Sequence, residues 1–341
     1  MRMQALSELF HRYAVRYFRD SSPLYEALSL RIAKDAELLA LAAQARAGQP
    51  QPNMLFGAVH DVLLQGARHP LRRFYPSLVD DPGEPALAFE PFRSFCAAYR
   101  REIVALLKSK RVQTNEVNRC AYLYPAFCHV YRHSGKPLAL IEIGTSAGLQ
   151  LLWDRYGYSY GADGAAYGCA SAALRLESEP LGDNKPDLLL ESPPVASRTG
   201  IDLHVNDLND EADLRWLNAL IWPEHRERRM RLTTAAACLK RTPVRLIEGD
   251  AIELIADVAA EAPAEATLCI FHTHVANQFT AEAKQALRAR LRELGRKRDY
   301  YHLYNNMDDL DLHLDAYLDG ELHPTKIAET EGHGRWFRWL M

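Results

Sequence analysis

Glu142-Ile143-Gly144-Thr145-Ser146-Ala147-Gly148-Leu149 is the segment whose residue types and spacing best suit chemistry. An apolar run carries a carboxylate near its end and turns at a glycine into a helix-forming stretch. Glycines there let backbone approach a ligand, and a helix start offers unpaired N–H groups. The alternative is a turn that only packs strand against helix. The dinucleotide fingerprint G-x-G-x-x-G fails, because Ser146 and Leu149 occupy its second and third glycine positions. Two further carboxylates stand near strand ends. Asp202 follows Ile201 and can accept both hydroxyls of a ribose, or serve as a turn residue. Asp250 and Ala251 follow Gly249, where Asp250 is equally suited to capping the next helix.

Proton chemistry points to Cys269-Ile270-Phe271-His272-Thr273-His274. If strand alternation persists, His272 and His274 share a face. Histidine accepts protons near neutral pH. The pair can also hold a metal, although no third ligand is visible nearby in sequence, and structural hydrogen bonding is the plainer reading. Thr114-Asn115-Glu116 precedes a helix. Thr114 or Asn115 suits the N-cap, and the alternative has Asn115 and Glu116 reaching into a ligand cleft. His60 lies in an apolar helical pattern, either as a satisfied buried histidine or as a catalytic one. His333 sits between two glycines in a permissive loop, within reach of a substrate.

The elements that must position these residues change character along the chain. Residues 1–134 are expected to be helical, with stretches at about 91–109 and 116–132 and no strong strand signal. Ser22-Pro23 starts a helix that runs toward Gly48, and Met54 to Gln65 forms another. From residue 135 onward, strands are expected at 138–143, 200–205, 244–248, 267–272 and 300–306. They alternate with helices at 146–156, 211–220, 224–240, 250–259 and 280–295. That alternation implies a parallel sheet covered on both faces. Residues 157–199 interrupt it as a long insertion, a candidate cover for the site. Two domains result: 1–134 helical, and 135–341 with the sheet.

Composition excludes several classes. The chain has 341 residues, 48% hydrophobic and 25% charged, with a net charge of −3. That is an ordinary globular balance, and it argues against a nucleic-acid partner. Six irregularly spaced cysteines, no signal-peptide pattern and no long apolar run lead to the expectation of reduced thiols, no membrane partner and a cytoplasmic location. Arginine clusters near 226–231 and 288–298 are expected to be solvated helix faces.

The glycine turn, with its acidic strand end and one glycine replaced by Ser146, resembles motif I of class I S-adenosylmethionine-dependent methyltransferases. The whole chain also resembles the bacterial domain of unknown function 2332 family. The matching stretches include Asn53 to His60, Gln113 to Val117, Glu142 to Leu149, Trp153 to Tyr158, Gly200 to Leu203, Trp216-Leu217, Ile221 to Pro223, Gly249 to Ala251, Leu318 to Gly320 and Gly332 to Trp336. These resemblances imply an α/β fold: a Rossmann-like class I methyltransferase-type sheet with an N-terminal helical domain. They imply S-adenosylmethionine as cofactor and a small molecule as methyl acceptor. Glu142 would face the methionine ammonium, Gly144, Ser146 and Gly148 would line the turn, and Asp202, Asp250 and Ala251 would hold ribose and adenine. His272, His274, Asn115 and Glu116 would orient the acceptor or take its proton. Two alternatives stand beside this: a non-catalytic nucleotide- or metabolite-binding protein on the same fold, and a metal-dependent hydrolase using His272 and His274.

Overall fold

Apolar spacing of three and four residues makes the first hundred residues helical, and the helices pack by burying aromatic rings. The computed structural model describes residues 2–113, 115–161 and 165–341. It divides into two compact units, Met1–Thr114 with Asn209–Met230, and Asn115–Leu208 with Arg231–Met341. In the first unit α1 (Arg2–Tyr13) continues as a π-helical turn, Ala14–Phe18. Then come α2 (Pro23–Ile32), α3 (Ala36–Ala42), α4 (Gln51–Leu64), α5 (Phe89–Ala98) and α6 (Arg100–Ser109). Ser22 caps α2, with Pro23 at its first position. The helix does not run on to Gly48, because Asp35 accepts a bond from the Leu38 N–H (2.9 Å) and starts α3 instead. Pro52 falls in the first turn of α4, where its missing N–H costs nothing, so that helix begins before Met54.

Helix α7 (Cys120–Ser134) precedes the boundary expected at residue 135, yet its contacts place it in the second unit. Helix α8 (Glu211–Leu220) belongs to the first unit, where it packs along α4. Gly57 permits this approach: a Cβ there would stand 3.1 Å from Leu220 and 3.3 Å from Trp216. Tyr25 stacks on Phe56 at 4.1 Å beneath them, and Phe18 and Phe92 meet Phe56 edge-on. Asp61 on α4 is buried, and it is held by Gln65 (2.6 Å) and by Arg215 of α8 (3.2 Å).

The second unit is built on one sheet of eleven strands among the described residues. They are β1 (Leu138–Ile143), β2 (Gly157–Tyr160), β3 (Ala166–Gly168), β4 (Arg175–Leu181), β5 (Val195–Asp202), β6 (Arg245–Glu248), β7 (Thr267–His272), β8 (Tyr300–Tyr304), β9 (Leu312–Leu318), β10 (Glu321–Thr330) and β11 (Trp336–Trp339). The order is β3-β2-β4-β11-β10-β9-β8-β7-β1-β5-β6. Neighbours from β6 through β5, β1 and β7 to β8 are all parallel. Strands β9, β10 and β11 continue antiparallel from β8. All six residues of β1 are buried, as an apolar run in a two-sided sheet should be. Helices α9 (Arg226–Leu239), α10 (Ala251–Ala260) and α11 (Ala281–Gly295) complete the chain. One face of the sheet buries Ile141, Ile143 and Ile270 against Ile255, Leu287 and Leu291 of α10 and α11. On α7, Phe127 stacks on Trp153 and meets Phe271 edge-on.

Two expectations are corrected here. Among the described residues, the 157–199 segment is built into the sheet rather than laid over it as a cover: it supplies β2, β3 and β4 at the edge remote from β1, and the start of β5 beside β1. Residues 146–156 are not an α-helix. Only a six-residue 3-10 helix, Gln150–Arg155, follows the glycine turn, because Ser146 (φ +53°) and Gly148 (φ +78°) are left-handed and break any helix start. All six cysteines are free of disulfides, four of them buried. No helix among the described residues is long and apolar enough to cross a membrane.

Candidate functional site

Strand order reverses at β1. The chain builds β1, β5 and β6 outward on one side, then returns to lay β7 and β8 on the other. In open parallel sheets the crevice at such a switch, beyond the carboxyl ends of the strands, is where ligands bind. The ends of β1, β5 and β7 deliver Glu142, Asp202 and His272 to this edge.

The glycine turn is tied to the strand beside it. Gly144 and Thr145 both donate their N–H groups to the Ile201 carbonyl. Ser146 donates its N–H to Asp202 Oδ2 at 2.8 Å, and His204 donates to Asp202 Oδ1 at 2.9 Å. The Ser146 hydroxyl is buried and accepts from Asn115 Nδ2 (2.7 Å) and Asn206 Nδ2 (2.9 Å). Asn115 Oδ1 in turn accepts from the Ala147 N–H at 3.3 Å. Serine therefore stands at the middle position of the turn because its oxygen gathers two amides. Neither flanking glycine opens onto empty space: a Cβ on Gly144 would strike Val275, and one on Gly148 would press on Leu246 at 3.0 Å.

A specific cost follows for Ser146→Gly. It relieves a left-handed residue, a gain of roughly 1–2 kcal/mol. It also removes the shared acceptor of two largely buried amides, at about 1–3 kcal/mol for each group left unsatisfied. The variant is therefore expected to be less stable, by up to about 5 kcal/mol, by urea denaturation. A more stable variant would show that the amides find other partners.

Glu142 is buried and accepts a bond from Thr145 Oγ1 at 2.7 Å. Burial pushes its carboxyl up to about 8, and the Thr145 bond opposes the shift only in part. Asp250 is exposed and caps α10 by accepting from the Ile252 N–H at 2.8 Å; Ala251 is the first residue of that helix. Thr114 lies outside the described residues. Glu116, rather than Asn115, caps the turn ahead of α7, accepting from the Asn118 N–H at 3.3 Å.

His272 and His274 do not share a face, contrary to the alternation expected of a continuing strand. β7 ends at His272, and His274 is left-handed at φ +54°. His272 is enclosed between His302 (5.1 Å) and Tyr304 (5.7 Å) with neither ring nitrogen hydrogen-bonded. His274 lies instead against Gly332 in the β10–β11 turn, and its N–H donates to Asn305 Oδ1 at 2.8 Å. Burial lowers both imidazoles to about 3, so both are neutral. Lys284 adds to this at His272; Arg119 and His333 add to it at His274, while Glu331 opposes.

Around His274 stands a set of polar residues not singled out from sequence. Arg119 donates to the Gly332 carbonyl (2.9 Å), and Thr273 donates to Gln150 Oε1 (3.0 Å). Tyr122 faces Thr273 and Asn305, and burial raises its phenol far above the ordinary range. Burial also raises the Glu331 pKa, but hydrogen bonds from His333 and Arg335 outweigh it and hold the carboxylate ionised. Asn305 directly follows β8, so its place at a strand end was the available signal. Among the described residues, no three His, Cys, Asp or Glu side chains are grouped to hold a metal.

Fold and site together define a mixed α/β protein with a large central sheet, parallel from β6 to β8 and extended by antiparallel strands, with a polar edge where its strand order reverses. Residues 7–339 match the model of a family described as an uncharacterised protein conserved in bacteria, domain of unknown function 2332. The chain belongs to that family. No curated protein and no solved structure matches it.

Proposed function

We propose that the second unit is a small-molecule methyltransferase that takes S-adenosylmethionine at the β1 switch point. The reversal of strand order at β1, with Glu142 and Asp202 delivered to one turn, is the observation that carries this reading. The residues suit the group. Glu142 and Asp202 supply two carboxyl groups at this turn; Glu142, which burial keeps protonated at neutral pH, would have to lose its proton to pair with the ligand's ammonium. Asp202 accepts the Ser146 and His204 N–H groups, and its carboxylate is an acceptor of the kind a ribose hydroxyl needs. S-adenosylmethionine, when bound, supplies an electrophilic methyl group. The chain's own task is alignment of a neutral acceptor with that methyl, the term expected to dominate the rate. His274, neutral and carrying a buried ring nitrogen without a partner, can take the proton the acceptor loses. Asn115 and Asn206, gathered on Ser146, are the groups a ligand would displace or bind.

One observation favours a second reading, a non-catalytic metabolite-binding protein at the same crevice: His272 is wholly enclosed and out of an acceptor's reach. The metal-hydrolase alternative is not proposed, because His272 and His274 diverge.

Thermal unfolding with S-adenosylmethionine or S-adenosylhomocysteine tests both readings. Ligand at about 100 times its dissociation constant adds ~2.7 kcal/mol. Asp202→Asn, which keeps one acceptor oxygen for the turn, is expected to lose most of that shift. No shift with either compound at millimolar concentration overturns the proposal, and binding without turnover on a panel of hydroxyl and amine acceptors selects the second reading.

A further inference from the structure

A serine and a histidine outside this crevice, both in the first unit, have the geometry of an activated nucleophile. Ser77 lies in a tight turn after the 3-10 helix Pro70–Phe74, where the Tyr75 carbonyl accepts from both the Leu78 and Val79 N–H groups. Its hydroxyl lies 2.8 Å from His60 Nε2. The other ring nitrogen, Nδ1, lies 3.0 Å from the Ala219 carbonyl. Ala219 is in the last turn of α8, where carbonyls lack partners within the helix. A carbonyl only accepts, so Nδ1 must carry the hydrogen. Nε2 then presents its lone pair, and Ser77 donates to it. The tautomer is fixed by chemistry, and the arrangement is nucleophile, base and orienting acceptor in line. A buried imidazole wants a partner on each nitrogen, so the hydroxyl alone does not mark a site; an opening beside the hydroxyl does.

There is such an opening. Ser77 lines a cavity of about 320 Å³ together with Leu78, Val79, Asp80, Arg226 and Arg229. Its lining carries two guanidinium groups and one carboxylate, with Glu224 also acting on Arg229 from beyond the lining. Arg226 pairs with Asp80 at 3.6 Å across an exposed gap, a contact worth little that a ligand anion can replace. The Arg229 charge also acts on the base. Burial lowers the His60 pKa to about 3, and the Arg229 charge lowers it further. An anion paired with Arg229 offsets that second effect and makes His60 a better proton acceptor once substrate is bound.

We propose that Ser77 and His60 form a hydrolytic dyad, oriented by the Ala219 carbonyl, that acts on small carboxylic esters bearing a negative charge. Ser77 Oγ bonds to the ester carbonyl carbon while its proton passes to His60 Nε2. The carbon–oxygen bond to the alcohol breaks, and the alcohol leaves with that proton. Water then attacks the acyl-serine, giving one proton to His60, which returns it to Ser77 as the acid departs. The guanidinium groups hold the anionic end and favour negative charge developing in the cavity.

The test uses the full-length protein and a fluorophosphonate. Ser77 Oγ should form the bond to phosphorus, with fluoride leaving and the proton taken by His60. Peptide mass mapping is expected to place one adduct on Ser77. Ser77→Ala, confirmed folded by circular dichroism, should take no label, with a melting temperature a few degrees lower because buried His60 Nε2 loses its donor. His60→Gln, confirmed folded by circular dichroism, should label about 100-fold more slowly. In parallel, mono-4-nitrophenyl glutarate should turn over faster than 4-nitrophenyl acetate, and Arg226→Gln should reduce that preference by about tenfold. A folded wild-type protein with no adduct at Ser77, or equal labelling in folded His60→Gln, overturns the dyad. Equal turnover of the two esters overturns the assigned substrate class.

Discussion

Acidification from pH 6.5 to 4.5 is expected to destabilise the protein steeply, through four histidines that the fold keeps neutral. His60, His272 and His274 are lowered to about 3, and His302 is lowered well below its usual value. Burial is the largest cause in each case, with nearby positive charge adding to it. Unfolded histidines protonate near pH 6.5, so below that value the unfolded chain binds more protons than the folded one. Stability then falls as pH falls, by at most about 1.4 kcal/mol per pH unit for each histidine. Glu142 acts in the opposite sense. Its folded pKa of about 8 lies above the unfolded value of 4.5, so its contribution is present below pH 4.5 and is lost as pH rises to 8. Asp61 and Asp315, also raised by burial, share that sense. Within the window four histidines oppose three raised carboxyl groups, and the net effect is loss. Urea midpoints at pH 6.5, 5.5 and 4.5 measure the slope. His272→Phe, which keeps a ring between His302 and Tyr304, should remove about 1.4 kcal/mol per pH unit from it. A flat profile, or an unchanged slope in that variant, would show these rings to be hydrated and titrating.

Much of this arrangement was legible in the sequence, and particular residues show where legibility stopped. The runs Leu138–Ile143 and Thr267–His272 are strands as their uninterrupted apolar character requires, since both faces are covered. Strand β9 escaped notice because His313 and Asp315 interrupt its apolar run, and β10 because its first six residues are exposed, with Pro324 where β10 pairs only with β9. Helix α8 was readable as a helix, but its unit was not. That depends on Gly57 admitting Trp216 and Leu220, a contact between residues about 160 positions apart. At the site, the types and positions of Glu142 and Asp202 were informative because strand ends gather at one edge. Asn206, Asn305 and Tyr122 were not, being single polar residues whose meaning lies in what faces them. Ser77 shows the same limit: nothing local in sequence links it to His60, and the link is a helix-to-turn contact closed by a carbonyl of α8.

Gly144→Ala is expected to cost more than any other single-methyl change at the turn, and by packing rather than by blocking a ligand. Gly144 has φ +72°, a left-handed conformation that costs a residue with Cβ roughly 1–2 kcal/mol. The added Cβ would stand 2.8 Å from Val275 Cβ and closer still to Val275 Cγ2. That overlap is with a branched side chain just beyond β7, which has little room to turn, and overpacking of this kind costs about 1–3 kcal/mol. Together the two effects amount to about 2–5 kcal/mol, and Gly144→Val, branched at Cβ, is expected to exceed that range. A double-mutant cycle separates the parts. Val275→Ala opens the space the new Cβ needs, so Gly144→Ala in that background should lose the overpacking cost and keep the left-handed one. The coupling energy between the two substitutions is therefore expected at about 1–3 kcal/mol, measured from urea midpoints of the four proteins. If the coupling is near zero while Gly144→Ala alone is still destabilising, backbone conformation accounts for the whole effect. If Gly144→Ala is as stable as wild type, the turn has moved away from Val275, and the anchoring of Gly144 and Thr145 on the Ile201 carbonyl cannot hold as described.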